Sequence, residues 1–271
     1  MSTSRSYGLE RLTRPLVENR LVVFIESMVA ILLLWSILAN VFGLSETVSS
    51  PSLVAASLVE LYETGLWWTH LSATLPRVMY GFALTLVVGT VVGVATGMNR
   101  FWEKALQDYV TVGLALPSLF VVIFAAMWFG VSDLTPTVAA AAISFPYLAQ
   151  EVYEGVKNID NDLLQMASSF EVSRQRSIRR IIVQSVLPQW FGGARYSFSL
   201  TWKITTLAEL VAAESGIGFM IGFAMDRLSL TDVFAWTIMF TILMLILEYG
   251  VLRQIERRVF EWRQDATLGW E

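Results

Sequence analysis

Six long stretches of mostly apolar residues constrain the fold of this chain more than any other feature. Each has about 20 or more residues, which is enough for a helix to cross a hydrocarbon core about 30 Å thick. The chain is 55% hydrophobic and only 15% charged, whereas roughly 25% of the residues in typical soluble domains are charged. We therefore predict an all-α, polytopic membrane protein with about six transmembrane helices, at residues 21–43, 74–98, 106–130, 134–156, 190–213 and 232–252.

Lysine and arginine residues are distributed unequally between the segments that separate these stretches. Basic residues near the ends of spans are retained in the cytoplasm. Fifteen of the 19 basic residues fall on one side of the predicted membrane: Arg5, Arg11, Arg14, Arg20, Arg100, Lys104, Lys157, Arg174, Arg176, Arg179, Arg180, Arg253, Arg257, Arg258 and Arg263. Both termini and the long insert between the fourth and fifth spans are therefore predicted to be cytoplasmic.

This topology divides the chain into segments. Residues 1–20 form a cytoplasmic N-terminal segment. Residues 21–43 form a permanent first transmembrane helix, because they exceed the length of a signal-peptide core and no small-residue cleavage site follows. Residues 44–73 form an extracytoplasmic segment with a short helix, from Leu53 to Trp68, for which Ser50 is the N-cap and Pro51 the first helical residue. Residues 74–252 form the core, including a cytoplasmic insert at 157–188, and residues 253–271 form a cytoplasmic tail.

The insert is charged, and its pattern predicts two short helices joined by a break. Asp160 can cap the first helix, and Asp162 lies favourably near the positive end of the helix dipole. Ser173 can cap a second helix with an aliphatic face and an arginine-rich face, ending before Pro188. An alternative for the second helix is a basic amphipathic helix that lies on anionic lipid.

Motifs along the chain resemble the permease subunits of binding-protein-dependent ABC importers, in particular the branch associated with sulfonates, taurine, nitrate and thiamine-precursor pyrimidines. The cytoplasmic loop of that family carries Glu-Ala-Ala, three residues and Gly, then an aliphatic residue and a Leu-Pro pair. The matching positions here are Gln165, Met166, Ala167 and Glu171, followed by Ile181 and Leu187-Pro188. A first Leu-Pro pair common in this branch is replaced by Val183-Gln184.

Other motifs of the family occur in the same order and at similar spacing between residues 50 and 260. They are His70 to Arg77, Gly81-Phe82, Met127 to Gly130, Phe145-Pro146, Ile159-Asp160, Gly193 to Arg195, Trp202, Ala208-Glu209 and Ser215 to Gly218. The resemblance implies the fold of a type I ABC importer permease. It also implies a location in the bacterial cytoplasmic (inner) membrane.

The resemblance further implies a division of labour. Two permease subunits form the pathway, two cytoplasmic ATPase subunits hydrolyse ATP, and an extracytoplasmic binding protein delivers the solute. The second permease is either the same chain or a related one with a more regular loop. The first insert helix is then the coupling helix that contacts the ATPase, through Asp160, Asp162, Leu163, Leu164, Gln165, Met166, Ala167, Ser168, Ser169, Phe170 and Glu171.

Nothing in the chain indicates an enzyme. It contains no G-x-x-x-x-G-K-[ST] phosphate loop, so ATP and magnesium are expected on the partner ATPase and no cofactor is expected here. With His70 as the only histidine and no cysteine, a metal site of the H-E-x-x-H type is excluded. The expected solute is a small organic anion such as a sulfonate, with a pyrimidine or other aromatic nutrient second. A self-sufficient secondary transporter or channel is the alternative function, although no inverted repeat supports it.

Ionisable residues within spans tend to face protein or water, because each costs about 2.5 to 3.5 kcal/mol at a helix centre on insertion scales. Lys203 and Glu209 lie in the fifth span and are separated by roughly 120° around a helix, so they are not expected to pair with each other. They line either the pathway or the subunit interface, or they form an ion pair with another span. Trp202, Glu214, Gly216 and Gly218 complete this candidate set.

Gly89, Gly93 and Gly97 recur every four residues in the second span. This spacing puts them on one face of a helix, where they permit a close approach of a neighbouring span. We predict that their role is packing.

Overall fold

The protein is helical throughout the part that this computed structural model describes, which is residues 20–41, 48–254 and 258. The predicted all-α class is confirmed over those residues, because none of them lies in a strand. The predicted cytoplasmic segment 1–20 lies outside them except for Arg20. Most of the predicted tail, with Arg257 and Arg263, also lies outside them.

Eleven α-helices and two short π-helical segments follow one another in the described ranges. The α-helices are α1 (Arg20–Asn40), α2 (Pro51–Glu63), α3 (Leu66–Met98), α4 (Arg100–Ala115), α5 (Ser118–Phe129), α6 (Leu134–Lys157), α7 (Asn161–Ser169), α8 (Arg174–Ser177), α9 (Val183–Ala212), α10 (Ile217–Asp226) and α11 (Leu230–Leu247). The π-helical segments are Ile178–Ile182, between α8 and α9, and Glu248–Leu252, after α11.

Three of these helical stretches are long and apolar enough to cross a membrane: Val22–Asn40, Leu66–Met98 and Leu230–Gly250. The number rises to five if each of two bent pairs is one span, and these pairs are Arg100–Ala115 with Ser118–Phe129 and Arg174–Ala212 with Ile217–Asp226. The remaining predicted span, 134–156, corresponds to α6. Its alanines, hydroxyl residues and glutamates make it less apolar, and half of its residues are buried against other helices rather than facing outward. A crossing number of six therefore stays a prediction.

Two predicted elements differ from the structure in shape. Residues 106–130 are not one helix, because α4 and α5 meet at an angle of 103°. Pro117 disfavours helical geometry at the residue before it, and Leu116 is accordingly extended, with ψ 128°. The short outer helix ends at Glu63 instead of Trp68. Gly65, at φ +69°, turns the chain there and is the N-cap residue of α3, which begins at Leu66.

Helix α6 forms the centre of the fold and packs against α3 on one side and α9 on the other. The three spaced glycines of α3 make the first contact possible. A Cβ atom on Gly93 would lie 2.6 Å from the carbonyl oxygen of Ala149, and one on Gly97 would lie 2.6 Å from Cβ of Val156. The predicted packing role of these glycines is confirmed, since the two helix backbones approach more closely than any side chain would permit.

Helix α1 lies at the edge of the fold, and most of its described side chains are exposed. Trp35 provides its main attachment: the ring lies 5.7 Å from that of Phe234 in α11, and Nε1 donates to the carbonyl oxygen of Ser49. An apolar helix that is exposed on nearly all sides is suited to contact with lipid.

Candidate functional site

A buried carboxylate connects two central helices near the end of α9. The Glu209 side chain is 0% exposed. Its Oε1 accepts a hydrogen bond from Nη1 of Arg77 in α3 at 2.7 Å. Its Oε2 accepts from Oγ1 of Thr74 at 2.9 Å and from the backbone N–H of Gly218 at 3.0 Å. Both oxygens are therefore satisfied, as a buried charge requires.

Arg77 extends this contact to two turns. Its Nη1 donates to the carbonyl oxygen of Ser215 at 2.7 Å, and its Nη2 donates to the hydroxyl of the same residue at 2.9 Å. Its Nε donates to Oδ1 of Asp133 at 2.9 Å, in the turn before α6, where the carboxylate is 80% exposed. One guanidinium thus joins α3, α9, the turn after α9 and the turn before α6. We call Thr74, Arg77, Asp133, Glu209 and the Ser215–Gly218 turn the ion-pair cluster.

The turn of this cluster requires its two glycines. Gly216 has φ +113°, and a Cβ atom there would lie 2.4 Å from the Glu209 carboxylate. A Cβ atom on Gly218 would lie 1.9 Å from the carbonyl oxygen of Thr206. The backbone N–H groups of the turn are also bonded: Gly216 donates to Nδ1 of His70, and Ile217 donates to Oγ1 of Thr74. The two glycines let the backbone of the turn lie against the Glu209 carboxylate. Helix α10 begins within this turn, at Ile217.

The structure separates the predicted pathway residues into two groups. Glu209, Trp202, Gly216 and Gly218 are buried within the chain, and Trp202 packs on Phe240 with ring centroids 5.8 Å apart. Glu209 thus forms an ion pair with another span, which is one of the alternatives that the sequence analysis left open. Lys203 and Glu214, by contrast, are exposed.

Sequence reasoning missed the partners of Glu209. Arg77 was visible as a charge inside a predicted span, and such a charge calls for a counter-charge. Glu209 is 132 residues away, and nothing local indicated which carboxylate it would be. Thr74 and Asp133 were missed for the same reason.

The first predicted helix of the insert is present as α7, and its first turn is built as predicted. Asp160 is the N-cap residue, and its Oδ1 accepts a hydrogen bond from the backbone N–H of Asp162 at 2.8 Å. Asp162 lies in the first turn of the helix, where a negative charge is favoured by the helix dipole.

The end of α7 departs from the usual residue choice but keeps the usual geometry. Glu171 is left-handed, with φ 51°. Its N–H donates to the carbonyl oxygen of Ser168, and the N–H of Val172 donates to that of Ala167. This is the Schellman arrangement, in which the left-handed position normally belongs to glycine. A glutamate, and not glycine, thus takes the left-handed position at the end of α7.

Most side chains of α7 are available to a partner. Ala167 is buried, whereas Leu163 is 40% exposed, Met166 51% and Phe170 77%. The polar residues Asp160, Asp162, Gln165, Ser168, Ser169 and Glu171 are exposed as well, and Leu164 is partly so. The helix makes few contacts with the other helices. A capped helix that presents apolar side chains to solvent is suited to contact with another protein.

The second predicted helix of the insert differs from the prediction. Ser173 occupies the N-cap position of α8, but its side chain makes no capping hydrogen bond. The prediction that the helix ends before Pro188 is wrong, because α9 continues through Pro188 to Ala212. A proline inside a helix removes one backbone hydrogen bond, and membrane-spanning helices tolerate this loss when neighbouring helices support them.

The described residues contain no group of three or more His, Cys, Asp or Glu side chains that could hold a metal ion.

Residues 85–261 match the family model described as the binding-protein-dependent transport system inner membrane component. The chain is 26% identical to a putative aliphatic sulfonates transport permease of Bacillus subtilis over 87% of its own length and 85% of that protein. It is 28% identical to the taurine transport system permease of Escherichia coli, over 73% and 72% of the two chains. It is 24% identical to the formylaminopyrimidine transport permease of Halalkalibacterium halodurans, over 86% and 93%.

Solved structures share the fold at lower identity. A chain of an amino acid ABC transporter with histidines superposes with a TM-score of 0.61 at 15% identity, covering 74% of this chain and 97% of that one. A chain of the inward-facing methionine ABC transporter superposes with a TM-score of 0.54 at 15% identity, covering 68% and 93%. These likenesses establish the helical architecture of an ABC importer permease.

Proposed function

The chain belongs to the binding-protein-dependent transport system inner membrane components, and we propose that it couples solute import to a separate ATPase through α7. As a member of this family it is a permease subunit and a multi-pass protein of the inner membrane. The proposal concerns the partner that α7 contacts, the solute that passes and the orientation of the chain.

The exposed surface of α7 is the observation that carries the proposal. Leu163, Met166 and Phe170 expose 40%, 51% and 77% of their area, and they belong to the same insert, 157–188, as five of the predicted cytoplasmic basic residues. Both ends of α7 are capped: the Asp160 carboxylate accepts from the backbone N–H of Asp162, and the backbone N–H of Glu171 donates to the carbonyl oxygen of Ser168. Because the helix is capped at both ends, a partner that grips it can move it as a unit.

Helix α7 lies between the central helices α6 and α9 in the sequence and is joined to both by short segments. Only three residues separate it from α6, and α8 with the π-helical segment leads from it into α9. Lys157 and Tyr153 at the end of α6 both contact the Glu103 carboxylate of α4, at 2.8 Å each. A displacement of α7 is therefore passed to α6, α9 and α4 together, which is the kind of rigid-body movement that opens and closes transporters.

The exposed face of α9 supports assembly with a second permease subunit around a pathway. Lys203 lies in α9, well inside the predicted span 190–213, and is exposed in this protomer. A charge at such a depth favours contact with water or with another subunit over lipid. A second copy of the chain or a related permease would cover this face.

The names of the relatives support a small organic anion as the solute. The permeases from Bacillus subtilis and Escherichia coli are named for aliphatic sulfonates and for taurine, and an exposed lysine along the pathway suits a sulfonate group. The relative named for formylaminopyrimidine keeps a pyrimidine as the second choice. We expect an extracytoplasmic binding protein to deliver the solute, with both termini of this chain in the cytoplasm.

The absence of cysteine from the whole chain provides a direct test. A single cysteine in place of Met166, labelled with a photo-crosslinker in native membranes, is expected to capture an ATP-hydrolysing subunit. A cysteine in place of Leu34, which is 59% exposed on α1, is the matched control and is expected to capture none. The proposal is wrong if an ATPase co-purifies with the chain but never forms an adduct at α7. It is also wrong if the purified chain alone drives uptake with an ion gradient.

A further inference from the structure

An apolar groove of about 470 Å³ lies between the last turns of α3, the end of α6 and the start of α9. Its walls are almost entirely hydrocarbon, and they include Val94, Met98, Val156, Ile182, Val186 and Trp190. The indole N–H at its edge is already used, because Nε1 of Trp190 donates to Oγ1 of Thr90 at 2.7 Å. The groove therefore offers contact to an apolar group and no free hydrogen bond.

A polar pocket of about 800 Å³ adjoins the groove, and Val183 lines both. Arg176, Arg179 and Arg180 line the pocket together with the hydroxyl and amide side chains of Ser173, Gln175 and Gln184. The π-helical segment Ile178–Ile182 supplies both surfaces: Ile178 and Ile182 line the groove, and Arg179 and Arg180 line the pocket. The apolar and basic surfaces are thus parts of one continuous site.

The three arginines lack counter-charges. All three are exposed, and none of them takes part in a salt bridge within the described ranges 20–41, 48–254 and 258. Three guanidinium groups within five residues repel one another, and each can donate two parallel hydrogen bonds to a phosphate. An anion in the pocket would relieve this repulsion.

We propose that the groove and the pocket together bind one anionic phospholipid, with its phosphate on Arg176, Arg179 and Arg180 and an acyl chain in the groove. The proposal rests on the membrane location that family membership establishes and on the cytoplasmic position of the insert proposed above. Basic pockets between membrane helices on the cytoplasmic side recognise anionic lipid headgroups, and here an apolar groove for the chain adjoins the basic pocket. A free phosphate would use only the pocket, and an acidic protein surface would leave the groove unfilled.

Bound lipid would act on the linkage between α7 and the core. The arginines lie in the segment that joins α7 to α9, and the groove borders α3, α6 and α9. A phospholipid in this site holds the segment against the membrane surface and fixes the position from which α7 reaches its partner.

The test measures the phospholipid retained by the full-length chain, purified with its partners from bilayers that contain both phosphatidylcholine and phosphatidylglycerol. Lipid extracted after detergent washing is quantified by mass spectrometry. Replacing all three arginines together (Arg176→Gln, Arg179→Gln and Arg180→Gln) is expected to lower retained phosphatidylglycerol at least fivefold. Arg174→Gln is the matched control, because Arg174 is exposed on the same short helix but does not line the pocket. It is expected to retain the wild-type amount.

A groove-filling variant separates a lipid from a free phosphate. Val186→Trp leaves the arginines in place and is expected to lower retained phosphatidylglycerol to the level of the triple variant. Inorganic phosphate at millimolar concentration is expected not to displace the lipid. Wild-type retention in the triple variant would overturn the proposal, and so would displacement by inorganic phosphate alone. Capture of an ATPase at α7 is scored in the same preparations, so failure of the lipid site is distinguishable from failure of the coupling function.

Discussion

The Arg77–Glu209 pair provides the strongest quantitative test of the fold. The Glu209 side chain is 0% exposed and that of Arg77 is 7% exposed, so loss of one partner leaves the other charge in a site from which water is excluded. Breaking a buried pair in this way costs about 3 to 5 kcal/mol. We expect Glu209→Gln to lie near 3 kcal/mol, because Asp133 still partly neutralises Arg77. We expect Arg77→Met to lie toward the upper end, because Glu209 then keeps only Thr74 and the Gly218 N–H as donors.

The double variant distinguishes an ion pair from two independent contributions. Removing both charges relieves the uncompensated charge that each single change creates, so the double variant should lose less stability than the sum of the two. We expect a coupling energy of about 2 kcal/mol or more, within the range of residues that share one network. The assay is equilibrium unfolding of the purified permease in mixed micelles with added sodium dodecyl sulfate, followed by tryptophan fluorescence.

The Lys157–Glu103 pair is the matched control for this cycle. Its side chains are 41% and 26% exposed, so solvent screens their interaction and the coupling energy is expected to be about 1 kcal/mol or less. Additive effects at Arg77 and Glu209, within about 0.5 kcal/mol, would refute the reasoning that these charges depend on each other.

Three further predictions address local features of the helices. Glu171→Gly places glycine at a left-handed position and should stabilise the end of α7 by about 1 kcal/mol. The expected result is slower hydrogen exchange of the amides of Phe170 to Val172. Faster exchange would contradict the argument that Glu171 is strained. Asp160→Ala removes the N-cap side chain and should lower the stability of α7 by about 1 kcal/mol. The expected result is faster hydrogen exchange of the Asp162 amide, with the rest of the chain unchanged. Asp160→Asn should keep most of the protection of that amide. Gly93→Val forces a side chain into the contact with Ala149 and Val152, where Cβ alone lies 2.6 Å from both, and should cost about 3 kcal/mol or more by overpacking. Gly192→Ala, where a Cβ meets nothing within 4 Å, should be neutral or stabilising in the same unfolding assay.

Local signals predicted parts of this molecule well. The Asp160 cap depends on residues two positions apart, and it was predicted correctly. The glycine repeat of α3 fixes a packing face through helical geometry alone, and the partner helix α6 lies on that face. The long apolar stretches likewise correspond to helices, because the cost of burying polar backbone in lipid leaves few alternatives.

Features that depend on tertiary contacts were not predicted. The bend between α4 and α5 occurs within an apolar stretch whose hydropathy continues across Pro117, so composition alone did not reveal the break. The path of α9 through Pro188 depends on support from α6, which no local pattern reports. The partners of Glu209 come from α3 and from the turn after α9, and without those contacts its position in a span was as compatible with a pathway as with an ion pair.

The geometry of α9 determines how far movement reaches along the molecule. The helix has 30 residues and is therefore about 45 Å long. Near one end Glu209 is tied to neighbouring elements, and the other end is joined to α7 through residues 170–182. Because the helix is long, a displacement at the end that is joined to α7 corresponds to only a small rotation about the end that holds Glu209. Under the coupling proposed above, a displacement of α7 would reach the ion-pair cluster as a small rotation of α9, so a large movement there would require the packed helices α3, α6 and α9 to shift as one body.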